Sequence, residues 1–439
     1  MTTTLAYRPR QLERALAAAR PERIGSVDSV AGLGVQIRGV RAAIGELVVI
    51  GDGARAEVVA VARDGVTAMP LDKLESITAG TPVRTTGEPM MIPVGRSMLG
   101  RVIDASGSPI DGRGPLGDVD YVSVDNEVPS ALNRTRIDVA LPLGVRVLDT
   151  LTTVGRGQRM GLFAGSGVGK SSLLSMIARG TAAEVSVIAL IGERGREVRE
   201  FLEDDLGAEG LARSIVVVST ADQPALMRVR AAFTATRIAE SFRDTGSHVM
   251  LMMDSLTRVA FAQREIGLSV GEPPATRGYP PSVFGLLARL LERAGTGESG
   301  SVTGIYTVLV DGDDHNEPIA DAARSILDGH VVLDRKLAVA GHYPAVDALA
   351  SISRVATHVT TAEQRQAALT LRRIMAARRQ AQDLLDVGAY QRGANALVDA
   401  AVDGEADIEA FLTQGIDEGT SAEVAWDHLS QLVAGMAVI

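Results

Sequence analysis

The chain has 439 residues, 46% of them hydrophobic and 22% charged, which indicates a globular protein long enough for about two to four domains. The formal net charge of -10 and an aromatic content of only 3% do not favour general nucleic-acid binding, and the absence of cysteine excludes disulfides, zinc–thiolate sites and a thiol nucleophile. Because no signal-peptide pattern and no apolar run of about 18 residues is present, we expect a cytoplasmic protein without a membrane span.

Residues 1–23 carry five arginines around Leu12 and Leu16, which predicts a short, basic, amphipathic helix that ends near Pro21. Such a helix docks on a partner or on an anionic membrane surface, or it is simply a solvated terminal helix. The sequence does not separate these alternatives.

Short β-type runs follow from residue 24 to about residue 95, spaced about ten residues apart and interrupted by glycines. They read SVDSVAGLGVQI, GELVVI, AEVVAVA and GVTAMPL. This pattern is typical of a small closed β-barrel. Since the runs contain no interleaved aromatic or basic residues, a structural role, such as closing a ring through contacts between barrels, is favoured over oligonucleotide binding.

The pattern changes again after the barrel. The segment LGRVIDASGSPIDGRGPL predicts a strand and a turn-rich loop that joins two domains, and beyond Ile137 apolar runs alternate with helical segments. Alternation of this kind predicts a mainly parallel sheet flanked by helices. After about Thr361 only helical patterns remain. We therefore predict an amphipathic helix over residues 1–23, a β-barrel over 24–95, a P-loop α/β domain over 96–360 and a C-terminal helical domain over 361–439.

A phosphate-binding loop stands at the start of the α/β pattern. The apolar run Met160–Ala164 is followed by GSGVGKSS, which fits G-x-x-x-x-G-K-[ST] except that Ala164 replaces the first glycine. Backbone N–H groups at the start of the following helix bind polyphosphate in such loops. Lys170 is one of only three lysines in an arginine-rich chain, which favours a specific role at the β and γ phosphates. The predicted nucleotide-binding residues are Gly165, Ser166, Gly167, Val168, Gly169, Lys170, Ser171 and Ser172.

Phosphoryl transfer also needs a metal, a group that activates water, and positive charge. Asp254 ends the apolar run HVMLMMD, the usual position of a carboxylate that holds Mg²⁺ opposite Ser171, partly through water; an ordinary strand-end aspartate is the alternative. After another apolar run, IGERGRE places Glu193 beside Arg194, so that a carboxylate can align water while an arginine holds a phosphate oxygen. A surface ion-pair cluster is the alternative there.

The chain resembles the catalytic subunits of the rotary ATP synthase superfamily, and within it most of all the flagellar and type III secretion export ATPases. The resemblance covers nearly the whole chain and is carried by the P-loop with GERGREV, MMDSLTRVAFAQREIGL, PPATRGYPPSVFGLLARLLERAG, DGDDHNEPIADAARSILDGHVVLDR and GHYPAVDALASISR. Its segment PAVDALASIS fits the superfamily's signature. The region around the N-terminal helix is shorter and less basic than in many relatives, and no motif separates flagellar from virulence-type secretion.

The resemblance implies ATP and Mg²⁺ as ligands. It implies that Lys170 and Ser171 bind phosphate and Mg²⁺, that Glu193 polarises the attacking water and that Asp254 supports the metal.

Further roles follow from the same resemblance. Arg194 and Arg258 match arginines that approach the γ-phosphate, and Tyr343 matches the aromatic residue that packs on adenine. Arg354 matches the arginine finger, which in this family reaches into the site of the neighbouring subunit. A finger that acts on a neighbour implies a head-to-tail ring, and the family forms homohexamers.

The implied function is ATP hydrolysis that energises protein export at the cytoplasmic base of a flagellar apparatus, peripheral to the inner face of the membrane, where substrates are released from chaperones and unfolded. The implied partners are other copies, regulator and stalk proteins, chaperone–substrate complexes and the membrane export gate, with no specific nucleic acid. An injectisome-type ATPase and a non-catalytic subunit of a rotary synthase are alternatives; Glu193 argues against the second. A hexameric RNA translocase is a third, which the net charge and the barrel disfavour.

Overall fold

The structure, a computed structural model, describes residues 23–72, 77–130, 132, 134–310 and 317–436. It divides into two units, the first ending at Met90 and the second beginning at Met91. The amphipathic helix predicted for residues 1–23 lies, apart from Arg23, outside the described residues. No helix within the described ranges is long and apolar enough to cross a membrane.

The first unit is a closed antiparallel barrel, as the sequence predicts. Within the described residues its strands follow the order β1-β2-β5-β4-β3-β6. Alternate apolar side chains fill the interior, because successive residues of a strand point to opposite faces. The strands are β1 (Ile24–Ala31), β2 (Gly34–Arg38), β3 (Glu46–Ile50), β4 (Ala54–Ala62), β5 (Gly65–Pro70) and β6 (Pro82–Pro89).

The second unit is built on one large sheet. Its described strands follow the order β17-β16-β10-β15-β13-β11-β12-β8, and β14 pairs with β15. All pairs from β16 to β8 are parallel, whereas β14 and β17 are antiparallel. The strands are β8 (Val102–Asp104), β10 (Arg159–Ala164), β11 (Val185–Ile191), β12 (Ser214–Ser219), β13 (His248–Asp254), β14 (Gly295–Thr296), β15 (Ser301–Leu309), β16 (Gly329–Val332) and β17 (Ile352–Ser353).

Helices connect these strands and cover the unit. The twenty-residue helix Ala225–Asp244 packs on β11, β12 and β13. In chain order the described helices are α1 (Arg146–Leu151), α2 (Lys170–Gly180), α3 (Gly195–Glu200), α4 (Gly207–Ala212), α5 (Ala225–Asp244), α6 (Leu256–Ser269), α7 (Pro281–Glu292), α8 (Pro318–Ile326), α9 (Arg335–Val339), α10 (Ala356–Val359), α11 (Ala362–Asp386), α12 (Ala396–Asp403), α13 (Glu405–Leu412) and α14 (Ala422–Gly435). A π-helical turn, Phe201–Leu206, joins α3 to α4, and 3-10 turns lie at Arg96–Met98 and Thr276–Gly278.

Two details differ from the sequence-based expectation. The strand Val102–Asp104, expected in a join between domains, instead forms the edge of the large sheet beside β12. The first unit ends before residue 95, because β7 (Met91–Val94) pairs with β9 (Asp120–Ser123) in the second unit.

The C-terminal helices begin where the strands stop. Thr361 caps α11: its hydroxyl accepts from the backbone N–H of Gln364, whose side chain accepts from the backbone N–H of Thr361. This reciprocal cap satisfies two of the backbone donors that a helix start leaves open. Buried residues of α11 to α14 share one hydrophobic core with the strands around β10. The helical region and the nucleotide-binding sheet therefore form a single packed unit.

A buried ion pair fastens α5 to α7. The guanidinium of Arg293, 1% exposed, donates two hydrogen bonds of 2.7 Å to the carboxylate of Glu240, which is fully buried. Asn126 donates to the same carboxylate at 2.8 Å, and Arg293 also donates to the carbonyl oxygen of Val124 at 3.1 Å. Every partner is in place, so the two charges are compensated despite their burial.

We predict that Glu240→Ala strongly destabilises the second unit, because it leaves the Arg293 charge buried and unpaired. Removing one partner of such a pair costs about 3–5 kcal/mol. The matched control is Asp403→Ala: its pair with Arg392 has side chains 59% and 70% exposed, and such surface pairs contribute about 0–1 kcal/mol. Urea denaturation of both variants measures the difference. Equal losses of unfolding free energy in the two variants would contradict the prediction.

Candidate functional site

The site lies at the carboxyl ends of a run of four neighbouring strands. β10, β15, β13 and β11 are adjacent and parallel, so their carboxyl ends meet at one edge of the sheet. The P-loop follows Ala164 at the end of β10, Asp254 is the last residue of β13, and Glu193 comes two residues after the end of β11. The strand patterns predicted this arrangement, and the structure brings the three segments together.

The P-loop has the backbone that its glycines permit. Gly167 and Gly169 have φ of 74° and 90°, in the left-handed region that other residues rarely adopt. Lys170 is the first residue of α2, directly after Gly169. A residue that sequence reasoning missed supports the loop from outside: Arg335 of α9 donates to the carbonyl oxygen of Ser166 at 3.1 Å. In the loop, Gly165 and Val168 are buried, Ser172 is half-buried, and Ser166, Gly167 and Ser171 are exposed.

Lys170 stands among the acidic residues of the site. Its ammonium group lies 2.5 Å from Oδ1 of Asp254 and 3.7 Å from Oε1 of Glu193. The same Oδ1 accepts a 2.7 Å hydrogen bond from the hydroxyl of Thr307 on β15. Thr307 was not singled out from the sequence, because threonine in an apolar strand is also an ordinary β-former.

Glu193 combines burial with an available oxygen. Burial raises the pKa of Glu193 to about 7; the positive charge of Lys170 opposes this rise, and the carboxylates of Asp254 and Glu197 add to it. Its Oε1 is buried and has no hydrogen-bond partner among the described residues. A small cavity beside it is lined by Glu193, Glu197, Asp254 and Ser171 together with apolar side chains. Such an oxygen is suited to accept a hydrogen bond from water, and its pKa suits a general base near neutral pH.

The two arginines expected near the γ-phosphate differ in placement. Arg258, on α6, packs against the backbone of Gly192: a Cβ at Gly192 would lie only 2.9 Å from the Cβ of Arg258. Glycine is therefore needed at position 192 for two reasons: a side chain would clash with Arg258, and the φ of 71° lies in the left-handed region. Arg194 has a side chain 81% exposed that pairs with Glu197 at 3.3 Å. Within this chain, Arg258 lines the site, whereas Arg194 points to solvent.

Tyr343 lies beside the P-loop. Its ring is close enough that a Cβ at Gly169 would lie 3.2 Å from the ring atom Cε1. The backbone oxygen of Tyr343 accepts from the N–H of Gln414 at 2.9 Å, so the segment after α13 holds this loop. Tyr343 as a whole is 45% exposed. The structure thus brings Tyr343 to the predicted site.

Arg354 lies at the opposite end of β10. Its backbone N–H donates to the carbonyl oxygen of Asp328, whose own N–H donates to that of Arg159, the first residue of β10. The Arg354 guanidinium is exposed and donates to the carbonyl oxygen of Arg324 at 3.3 Å. β10 separates this end from the P-loop by about 17 Å, five steps of about 3.3 Å each. The structure therefore does not bring Arg354 to the site of its own chain.

Known proteins are similar to this chain in sequence over nearly its whole length. The nucleotide-binding domain of the ATP synthase alpha/beta family matches residues 144–353, and the C-terminal domain of the type III secretion ATPase EscN matches residues 360–431. A flagellum-specific ATP synthase of Bacillus subtilis is 51% identical over 417 residues, 94% of this chain and 95% of the relative. The chain belongs to the ATP synthase alpha/beta family.

Other members of the ATP synthase alpha/beta family point to its secretion branch. A type 3 secretion system ATPase of Xanthomonas euvesicatoria is 49% identical, covering 96% of this chain and 97% of the relative. The assembled ATPase EscN of enteropathogenic E. coli has a TM-score of 0.89 at 43% identity, covering 93% of this chain and 100% of its own. These findings confirm the predicted resemblance, the fold class and the enzyme class: this family member is an ATPase of the secretion type.

We predict that kcat/KM for ATP rises as the pH is raised through about 7, because Glu193 must be ionised to accept a proton from water. The pH dependence of kcat/KM reflects the pKa values of essential groups in the free enzyme. Glu197→Gln removes a neighbouring negative charge and supplies an amide donor, so it moves this inflection to lower pH. Steady-state hydrolysis across this pH range measures the shift. The control is Glu200→Gln, on the same helix but paired at the surface with Arg196, which leaves the inflection in place. An inflection that stays unmoved in Glu197→Gln contradicts the assignment.

Proposed function

We propose that this chain hydrolyses ATP at sites shared between neighbouring copies and thereby energises protein export at the cytoplasmic base of a flagellar-type secretion apparatus. The observation that supports a shared site is that the candidate site residues lie at opposite ends of β10. Lys170, Glu193, Asp254 and Tyr343 gather at its carboxyl end, whereas Arg354 is exposed at its amino end.

The proposed ligands fit the donors at this edge. Mg²⁺ prefers oxygen ligands, and Ser171 and Asp254 offer a hydroxyl and a carboxylate that line one cavity. The P-loop N–H groups and Lys170 bind the phosphates, and the ring of Tyr343, beside the P-loop, packs on adenine. Bound Mg²⁺ and ATP supply the transferable γ-phosphoryl group with its charge neutralised.

The chain's own residues then act on the attacking water. Glu193 Oε1, buried without a partner among the described residues, accepts a hydrogen bond from the water and draws off its proton. Arg258 supplies positive charge beside the transferred group, and Arg194 reaches the phosphates from its exposed position by leaving Glu197. Since Glu193 and Lys170 lie 3.7 Å apart, proton acceptance and phosphate binding are electrostatically coupled.

The last positive charge comes from another copy. Arg354 of one chain enters the site of the next, and repetition of that head-to-tail contact closes a ring, which we propose to be a homohexamer. The assembled form described for EscN supports self-assembly in this family.

We predict that two inactive variants restore each other's activity when mixed. Glu193→Gln lowers kcat about 10²- to 10⁴-fold through loss of the base, and Arg354→Ala lowers it about 10³-fold or more through loss of the finger. In equal mixtures, roughly a quarter of head-to-tail contacts combine an intact Glu193 with an intact Arg354. These intact contacts are detected as a rate of ATP turnover in the mixture that exceeds the rate of either variant alone.

The matched control mixes Glu193→Gln with Lys170→Ala. Both defects then lie in the same half of the site, so no contact is intact and turnover stays at the level of the single variants. Arg354→Ala protein that hydrolyses ATP at the wild-type rate would refute the shared site.

The proposed partners follow from the relatives. EscN has been solved with its central stalk EscO, which supports a stalk protein as partner here. We further propose an export-apparatus regulator, chaperone–substrate complexes and a peripheral contact with the membrane export gate, all on the cytoplasmic side. Release and unfolding of chaperone-bound substrates is the work that hydrolysis drives.

A deletion strain tests the biological role. We expect loss of filament assembly and motility with normal growth. The injectisome alternative, favoured by the 49% identity to a type 3 secretion system ATPase, predicts intact motility with loss of effector secretion. A growth or energy defect would instead indicate a rotary synthase subunit and overturn the export role.

A further inference from the structure

Thr307 lies on β15, the strand between β10 and β13. β15 pairs with β10 on one side, where Thr307 is opposite Leu162, and with β13 on the other, where the preceding Tyr306 is opposite Met253. This register sets Thr307 directly beside Asp254. Its side chain is fully buried, so its hydroxyl can satisfy its hydrogen-bonding capacity only within the protein.

One oxygen of Asp254 receives two donors. Its Oδ1 accepts from Lys170 Nζ at 2.5 Å and from Thr307 Oγ1 at 2.7 Å. Thr307 has a single hydroxyl proton, and its other neighbouring acceptor, the carbonyl oxygen of Met253, is farther away at 3.3 Å. The shorter, charge-assisted contact is the stronger of the two, so Thr307 donates to Asp254.

The two donors differ in whether they can move when nucleotide binds. The Lys170 ammonium belongs to the P-loop and, under the proposed function, moves to the β and γ phosphates. Thr307 is fixed in a central strand and cannot follow. If Lys170 were the sole donor to Oδ1, its move to a phosphate would leave this buried oxygen without a partner until Mg²⁺ or its bound water reached Asp254, and an unsatisfied buried acceptor is costly.

We propose that Thr307 is a positioning residue that keeps Oδ1 of Asp254 hydrogen-bonded, so that Lys170 can exchange this carboxylate for a nucleotide phosphate. The inference rests on the proposed nucleotide site and adds a residue to it. Thr307 touches no substrate atom; it acts by lowering the free energy that is needed to separate Lys170 from Asp254.

The test is nucleotide affinity, measured by fluorescence titration with a fluorescent ADP analogue, with Mg²⁺ and again in EDTA, on the full-length protein. Thr307→Val removes the hydroxyl at nearly constant volume and is expected to weaken binding about ten-fold or more. Thr307→Ser keeps the donor and is expected to bind as the wild type does. The control Thr303→Val removes a hydroxyl on the same strand at its far end, where Thr303 accepts from Gly157, and is expected to leave the affinity unchanged.

A double-variant cycle separates positioning from mere stability. In an Asp254→Asn background there is no carboxylate charge for Thr307 to hold, so Thr307→Val is expected to change the affinity little. Should Thr307→Val fail to purify as folded protein, Thr307→Ala takes its place in the same cycle. Wild-type affinity in the single variant, or an equal loss in both backgrounds, overturns the inference. Failure of the wild type itself to bind the analogue would instead refute the nucleotide site.

Discussion

The parallel pairing of β10, β15, β13 and β11 is the constraint on which the site depends. Parallel strands deliver their carboxyl ends to the same edge, so one ladder of backbone hydrogen bonds sets the P-loop, Asp254 and Glu193 side by side although they are far apart in the chain. The strands are buried, which fixes their register and leaves the loops beyond them free for chemistry. The ion pair of Arg293 with Glu240 joins α5, which packs on this sheet, to the end of α7.

Opposite charges at this edge lie close together and are mostly buried. Lys170 is within 4 Å of two carboxylates, while burial keeps Glu193 near the point of protonation at neutral pH. Each move of the ammonium therefore changes the proton affinity of the neighbouring base. Phosphate binding and the base strength of Glu193 are consequently coupled directly through the side chain of Lys170.

Sequence patterns predicted the parts of the site that sit at strand ends. Asp254 and Glu193 follow long apolar runs, and the glycine spacing marks the loop before Lys170, so local pattern and chemistry coincide. Thr307 was missed because its role depends on which strand lies next to β15, and pairing partners are not written in a single sequence. The strand at Val102–Asp104 was itself predicted, but its place at the edge of the large sheet was missed for the same reason, because only its pairing with β12 puts it there.

The distance between Arg354 and the P-loop has a further consequence if the site is shared as proposed. Under the proposed shared site, a solitary chain has a phosphate cradle but no finger to complete it, so turnover per chain rises with the local concentration of chains. Any structure that brings several of these chains together then activates the ATPase without itself contacting the nucleotide. A site completed in this way would confine hydrolysis to the place of assembly and leave single chains in the cell inactive.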